Sequence, residues 1–223
     1  MVYDFHTHSA LSDGALSPIE LIRRAQVRNY KAIAITDHAG VGYLERIIKE
    51  IADDCALARQ HWDIIAIPGV ELTHLPPAAI CEAAKRAKEL GAWLVVVHGE
   101  SIIEPVEKGT NSAALRCPYV DILAHPGLLT LEEAELAAAN GIFLEISARK
   151  GHSLTNGHIA QLARLTGAKL LLNSDAHNPS DLLSPDRVHQ IAQGAGLNEE
   201  ESVEVLKTNA CALLEKLPLP QQN

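Results

Sequence analysis

Histidines and carboxylates in this chain recur at spacings that suit metal chemistry. His6-Thr7-His8 and Asp175-Ala176-His177 each place two ligand-capable residues two apart, and Asp13, Asp37-His38, Glu71, His98 and His125 fall between them. Residues two apart on an extended chain point the same way, so each pair offers both donors to one side. The chain holds 11 histidines against 19 lysines plus arginines, an excess that asks for a metal or proton role. A lone histidine is ordinarily incidental, and an aspartate before a turn commonly bonds the turn backbone. Here, however, the polar residues follow six of seven successive aliphatic runs. Independent accidents do not repeat in that way. The pattern predicts a polynuclear metal site gathered at the C-terminal ends of strands, where parallel barrels collect their catalytic groups.

The elements that must position these residues are legible as aliphatic runs at 2–5, 31–36, 64–67, 92–97, 120–124, 142–146 and 169–173. Several are nearly continuous in Ile, Leu, Val and Ala, as strands buried on both faces should be. Helical stretches separate them. Pro18 opens one, with Ser17 as candidate N-cap; others cover 78–90, 131–139 with Thr130 as cap, 157–166 after Asn156, and 199–216. Strand–helix alternation means a parallel sheet, closed as a barrel or open and doubly wound. Seven units without a long insertion fit one barrel-like domain over 1–216, with 217–223 a frayed tail.

Composition narrows the function. The 223 residues are 47% hydrophobic and 21% charged, a globular balance, and only 4% aromatic, so the core must be aliphatic. No apolar run spans a bilayer, and the chain enters a strand-like run at once, which predicts no signal peptide and a cytoplasmic protein. Cys55, Cys81, Cys117 and Cys211 lack any paired spacing and read as small hydrophobes in a reducing compartment. The net charge of -9 has the wrong sign for gripping a long nucleic acid. His61, His158 and His189 lie in helical stretches and read as structural or solvated.

The runs Asp-Phe-His-Thr-His-Ser with Ser-Asp-Gly, Ala-Ile-Thr-Asp-His, Gly-Val-Glu-Leu, Val-His-Gly, Ala-His-Pro-Gly and Asn-Ser-Asp-Ala-His span residues 4 to 177. Their order resembles the successive motifs of the PHP superfamily (polymerase and histidinol phosphatase domains). The resemblance implies a distorted seven-stranded (β/α)7 TIM-like barrel that holds two or three divalent ions. It implies His6, His8, Glu71 and Asp175 around one metal, with Glu71 bridging to a second held by His98 and His125. Asp13, His38 and His177 would hold a third, Asp13 standing where some members have His. Six imidazoles and three carboxylates suit zinc, manganese or iron. The catalytic set is then His6, His8, Glu71, His98, His125 and Asp175. Asp37 is expected to orient a ligand histidine from behind, and Asp4 and Glu145 to serve similarly.

Three divalent ions bring about six positive charges, and three carboxylates plus one hydroxide cancel about four, leaving room for a phosphomonoester dianion. The resulting expectation is a phosphatase acting on a small phosphorylated substrate, histidinol-phosphate-phosphatase-like, in which a metal-bridging hydroxide attacks phosphorus in line. Arg149 is the candidate phosphate clamp, with Lys150, His74 and His152 as further substrate contacts, and Glu100 and Ser101 close to the pocket. Only about 25 residues separate Glu71 from His98, so no inserted domain fits there. A phosphodiesterase or exonuclease acting on nucleotides or nucleic-acid ends is the alternative, disfavoured by the charge. A ribonucleoprotein scaffold would predict missing ligands and a basic surface. A carbon–nitrogen hydrolase on a similar barrel is disfavoured by the third ligand set. No pattern in the chain bears on oligomeric state.

Overall fold

Seven parallel strands form a nearly closed barrel in the computed structural model, which describes residues 1–219. They run in the order β1 (Val2–Asp4), β2 (Tyr30–Ile35), β4 (Ile65–Leu72), β5 (Leu94–His98), β6 (Ile122–Ala124), β7 (Phe143–Ser147) and β8 (Leu170–Asn173), with a two-residue strand β3 (His38–Ala39) laid against β4. Helices α1 (Pro18–Val27), α2 (Leu44–His61), α3 (Pro77–Glu89), α4 (Thr110–Leu115), α5 (Leu131–Asn140) and α6 (Asn156–Thr166) alternate with them. After β8 the chain continues through α7 (Pro185–Gly194), α8 (Glu199–Val203), a π-helical turn at Glu204–Thr208, and α9 (Asn209–Lys216). This is a single α/β domain of TIM-like type.

Strand alternation divides the apolar residues into two layers. Ala32, Ala34, Ile67, Leu94, Val96, Ile122, Ala124, Phe143 and Leu171 pack together inside the barrel with Phe5. Their neighbours Ile33, Ile35, Val70, Val95, Val97, Leu123, Leu144, Ile146 and Leu172 pack outward against the helices. The two sets alternate because successive side chains in a strand face opposite ways. Extending the inward parity toward the strand C-termini reaches Glu71 on β4, His98 on β5 and Glu145 on β7, and beyond β8 it reaches Asp175. An aliphatic plug thus fills the lower barrel while titratable residues occupy the upper end of the same lattice.

The seam lies between the first and last strands. Thr7 and Ala176 form a parallel bridge. The His8 amide donates to the Ala176 carbonyl at 2.8 Å, and the Asp175 amide donates to the His6 carbonyl at 2.9 Å. Just below, the Phe5 amide donates to Asn173 Oδ1 at 2.9 Å. The opposite end is closed by α9, whose Leu213 and Leu214 join the inner layer and whose Asn209 side chain donates to the Leu170 carbonyl.

Several local expectations shift. The third strand runs past 64–67 to Leu72, so Glu71 sits inside a strand rather than after it. Gly69 lies within this strand, where a side chain would press on Thr36 and Leu94, so the glycine serves close strand packing. Ser17 occupies the N-cap position without a side-chain bond, whereas Thr130 forms a full capping box with Glu133. Leu217, placed in the expected frayed tail, is buried against the inner layer. Residues 220–223 of that tail lie outside the described residues. Among the described residues no helix is long and apolar enough to cross a membrane.

Leu213 is fully buried at the barrel floor. Leu213→Ala should therefore lower the unfolding free energy by about 2–5 kcal/mol, read as a lower urea midpoint at unchanged slope. A loss below about 1 kcal/mol would show that α9 is not the floor of the core.

Candidate metal centre

Glu71 is completely buried at the centre of the upper barrel. Its Oε1 lies 3.3 Å from His6 Nε2 and 3.7 Å from His125 Nε2, while its Oε2 lies 2.6 Å from His38 Nδ1 and 3.7 Å from His8 Nε2. Asp175 Oδ1 stands 3.3 Å from His8 Nε2, and Oδ2 stands 3.8 Å from His125 Nε2. Asp13 closes the outer side, with Oδ2 at 3.1 Å from His177 Nε2 and 3.7 Å from His38 Nε2. Ligand-capable atoms therefore cluster as His8, Asp13, His38 and His177; as His6, Glu71 and His125; as His6, His8 and Asp175; and as His98, His125 and His152.

Supporting bonds aim these groups. His6 Nδ1 lies 2.7 Å from Glu145 Oε2, which also accepts from Asn173 Nδ2 at 2.9 Å. That pairing keeps a proton on Nδ1 and turns Nε2 toward Glu71, where a cation between the two could take its lone pair. His98 Nδ1 faces the Gly99 carbonyl at 3.0 Å, and His177 Nδ1 faces the Asp175 carbonyl at 3.0 Å. Three site residues have left-handed backbones, His74 with φ 51°, His125 with φ 28° and Asp175 with φ 53°, strain of the kind held at functional sites. Close backbone packing explains two glycines. A side chain at Gly14 would collide with the His8 carbonyl, and one at Gly127 with the Glu100 carbonyl.

The charges show what the cluster needs. Burial alone would protonate Glu71, but the His6 and His38 imidazoles hold its carboxyl well below the usual range. Burial pushes Asp175 up to about 7; His6 opposes the shift and the Glu71 charge adds to it. Burial disfavours charge on His38, yet Glu71 and Asp13 raise it to about 9. His6 is likewise carried well above its usual value by Glu145, Glu71 and Asp175 against the effect of burial. His8 and His125 go the other way through burial and neighbouring imidazoles. His6 Nε2 and His8 Nε2 face each other at 3.0 Å, and Glu71 Oε1 and the Nδ1 atoms of His8 and His125 are buried without a hydrogen-bond partner. Converging lone pairs and an unsatisfied buried carboxylate oxygen are what a divalent cation compensates. The donor set fits two or three such ions.

A PHP-domain family profile matches residues 4–106. The chain is 49% identical over 202 residues to an uncharacterized protein of Methanocaldococcus jannaschii, covering 90% of this chain and 93% of that one. The chain belongs to the PHP family. A probable phosphatase of Thermoanaerobacter sp. is 28% identical, with 90% of this chain and 89% of the relative covered. Ribonuclease P protein component 3 of Methanosarcina mazei is also 28% identical, with 96% and 89% covered. The fold is shared with a chain of archaeal ribonuclease P in complex with mature tRNA (TM-score 0.72, 14% identity, 98% and 94% covered). It is also shared with the metal-dependent tyrosine phosphatases YwqE of Bacillus subtilis and CpsB of Streptococcus pneumoniae (TM-score 0.61, 17% identity, 99% and 97% covered).

Within this PHP barrel, all nine positions read from the motifs meet in one cleft region, but the outer residues take other places than sequence suggested. Asp37 makes no hydrogen bond to an imidazole among the described residues. Its carboxylate instead accepts from the Ser9 and Ser12 amides and hydroxyls, tying down the loop that carries Asp13. Asp4 accepts from the Ser174 and His6 amides and meets no imidazole. His152 is largely buried yet lines the same cleft: it stacks on His125 at 3.9 Å between centroids, and Nδ1 lies 2.8 Å from Ser101 Oγ. Lys150 is exposed and does not line the cleft holding the histidines, whereas Arg149 and half-exposed His74 do. Arg149 reaches His177 Nδ1 at 2.7 Å and the Asp175 carbonyl at 3.2 Å.

Glu104 escaped the sequence reading. It lies 2.9 Å from His98 Nε2 and 3.4 Å from His152 Nε2, and the His98 hydrogen bond draws its carboxyl down to about 2. It sits on an irregular loop in Ile-Ile-Glu-Pro, where no periodicity marks it.

Because, against the effect of burial, Glu71 and Asp13 hold His38 at about 9 without metal, and neighbouring carboxylates raise His6 as well, ligation must expel protons. Calorimetric zinc or manganese titrations of metal-stripped protein, repeated in buffers of different ionisation enthalpy, should show net proton release near pH 7. Affinity should climb as pH rises toward about 9, where His38 loses its proton unaided. Affinity that is flat between about pH 6 and 9 would count against ligation by these imidazoles.

Proposed function

We propose that this PHP protein is a metal-dependent phosphatase that hydrolyses a small phosphomonoester, histidinol-phosphate-phosphatase-like in chemistry. The observation that carries the reading is the buried Glu71, with imidazoles facing both of its oxygens and an arginine at the mouth of the same cleft. Likeness to proteins named probable phosphatases supports it. The cations in view are zinc, manganese or iron, which at such a donor set neutralise phosphoryl oxygens and lower the pKa of water into the neutral range.

The chain's own residues then have separable tasks. His6, held through Nδ1 by Glu145, keeps its Nε2 directed at the centre without rotating. Glu71, Asp175 and Asp13 supply the negative charge that retains cations among otherwise neutral imidazoles. Arg149 stands at the rim with its guanidinium beside Asp175 and His177, placed to take a phosphoryl oxygen in a charge-assisted bond. The cleft encloses about 380 Å³, with His74 and Tyr43 at its mouth, which suits a phosphoryl group on a leaving group of modest size. We place this activity in the cytoplasm, where the four free cysteines remain reduced.

The similarity to ribonuclease P component 3 raises a second reading, a barrel that serves as a scaffold in a ribonucleoprotein. Against it stand the full set of ligand-capable residues and the -9 net charge. A phosphodiesterase or exonuclease reading shares the metal site and differs only in what the rim accepts.

Purified protein should carry two or three transition ions per chain by elemental analysis, and Glu71→Ala should lose most of them together with turnover. Unchanged turnover in Glu71→Ala, or no hydrolysis by metal-loaded protein across a panel of phosphorylated metabolites, would sink the phosphatase reading. Arg149→Ala should raise KM for monoesters about 10- to 100-fold, the worth of one charge-assisted contact, and an unaltered KM would remove Arg149 from substrate binding.

A further inference from the structure

A second cleft of about 970 Å³ opens beside the histidine-lined one, and Arg149 lines both. Its walls are basic: Arg28, Lys150 and Arg187 join Arg149, with Asp181 as the sole carboxylate there among the described residues. Asp181 is already engaged. Its Oδ2 accepts from the His177 and Asn178 amides at 3.1 and 2.8 Å, and its Oδ1 from the Ser180 hydroxyl at 3.4 Å.

The cations are not so engaged. Arg28 donates to the Leu182 carbonyl, Arg187 makes a 3.3 Å bond to Gln190, and Lys150 donates to no acceptor among the described residues. The arginine and lysine ion pairs among the described residues use Arg24, Arg46, Lys85, Arg86, Lys88, Arg149 and Arg164, and none involves Arg28, Lys150 or Arg187. Helix α7 begins on the same wall, with Ser184 and Pro185 facing the cleft, so the positive end of a ten-residue helix adds to the field. A chain of net charge -9 has thus gathered three cations without carboxylate partners in one concavity, next to the cleft assigned to phosphoryl chemistry.

We propose that this cleft is the subsite for a second phosphate on the same small substrate. The preferred substrate is then a bisphosphorylated metabolite whose scissile phosphate enters among the histidines while its other phosphate lies beyond Arg149, facing Lys150 and Arg187. This rests on the phosphatase reading above and gives it a substrate class. The Ser180 and Asn178 side chains on the wall supply neutral donors that a phosphate, with its several acceptor oxygens, can use together with the cations.

The test compares alkanediol bisphosphates of increasing length with the matching alkyl monophosphates and with ω-carboxyalkyl phosphates. In the metal-loaded wild type, kcat/KM for the best bisphosphate should exceed that for its monophosphate at least about tenfold, and exceed the carboxylate analogue as well. In the Lys150→Gln/Arg187→Gln double variant, whose altered side chains are both exposed, that ratio should fall to about one. Equal rates for mono- and bisphosphates at every length, equal preference for the carboxylate, or a ratio that survives in the double variant would overturn the proposal.

A binding measurement makes the same decision without turnover. Metal-stripped wild type should bind inorganic phosphate by calorimetry, and the double variant should bind it at least about fivefold more weakly; equal affinity would overturn the subsite. Metal-loaded wild type that hydrolyses no monoester would instead reject the phosphatase reading, and the phosphate titration would still decide the cleft.

Discussion

A carboxylate with no solvent contact governs the upper half of this barrel. Glu71 is buried completely, and leaving such a charge uncompensated costs several kcal/mol even after relaxation. Compensation cannot come from the aliphatic layer beneath it, so it comes from the imidazoles that neighbouring strands direct at the same point. The site's imidazoles in turn find partners on their outer nitrogens, Glu145 for His6, Asp13 for His38, and the Gly99 and Asp175 carbonyls for His98 and His177. The arrangement remains incomplete as protein alone, because Glu71 Oε1 and two imidazole nitrogens stay unpaired. Divalent cations complete it, and the fold is the device that brings the necessary donors within reach.

Much of this was legible in the chain because two periodicities coincide. The period-two alternation that makes Leu94 and Val96 inward also makes His98 inward, and the same parity carries Ile67 to Glu71. The seven strands and the barrel class followed from that regularity and the family resemblance, and the resemblance named the ligand-capable residues. What escaped is what lies off the lattice. Glu104 sits on a loop whose path depends on the packing of Glu100 and Asn111, not on any repeat. His152 follows its strand by several residues, and only the 3₁₀ turn at His152–Thr155 shows that it reaches the cleft by stacking on His125. Asp37 has the right type and place for orienting a histidine, but Ser9 and Ser12 offer four donors to its carboxylate. Competition among local hydrogen bonds decides such cases, and spacing does not encode its outcome.

The charge distribution reconciles an acidic chain with an anionic ligand. Surface carboxylates account for much of the -9, while the carboxylates that matter chemically lie inside, matched by imidazoles and suited to cations. The basic wall from Arg149 to Arg187 lies immediately outside this ring. A small anion approaching the barrel mouth meets a field opposite in sign to the molecule as a whole, and a long polyanion must also face the acidic remainder.

The seam of the barrel gives the site a place in time. His6 and His8 are synthesised more than 160 residues ahead of Asp175 and Ala176, whose backbone bonds seat them. Until the last strand has been synthesised and zipped against the first, the early imidazoles lack both their neighbour and the Asn173 contact beneath them. A nascent chain therefore cannot assemble the full cage, and any cation it takes up among all these donors must wait for a nearly finished barrel.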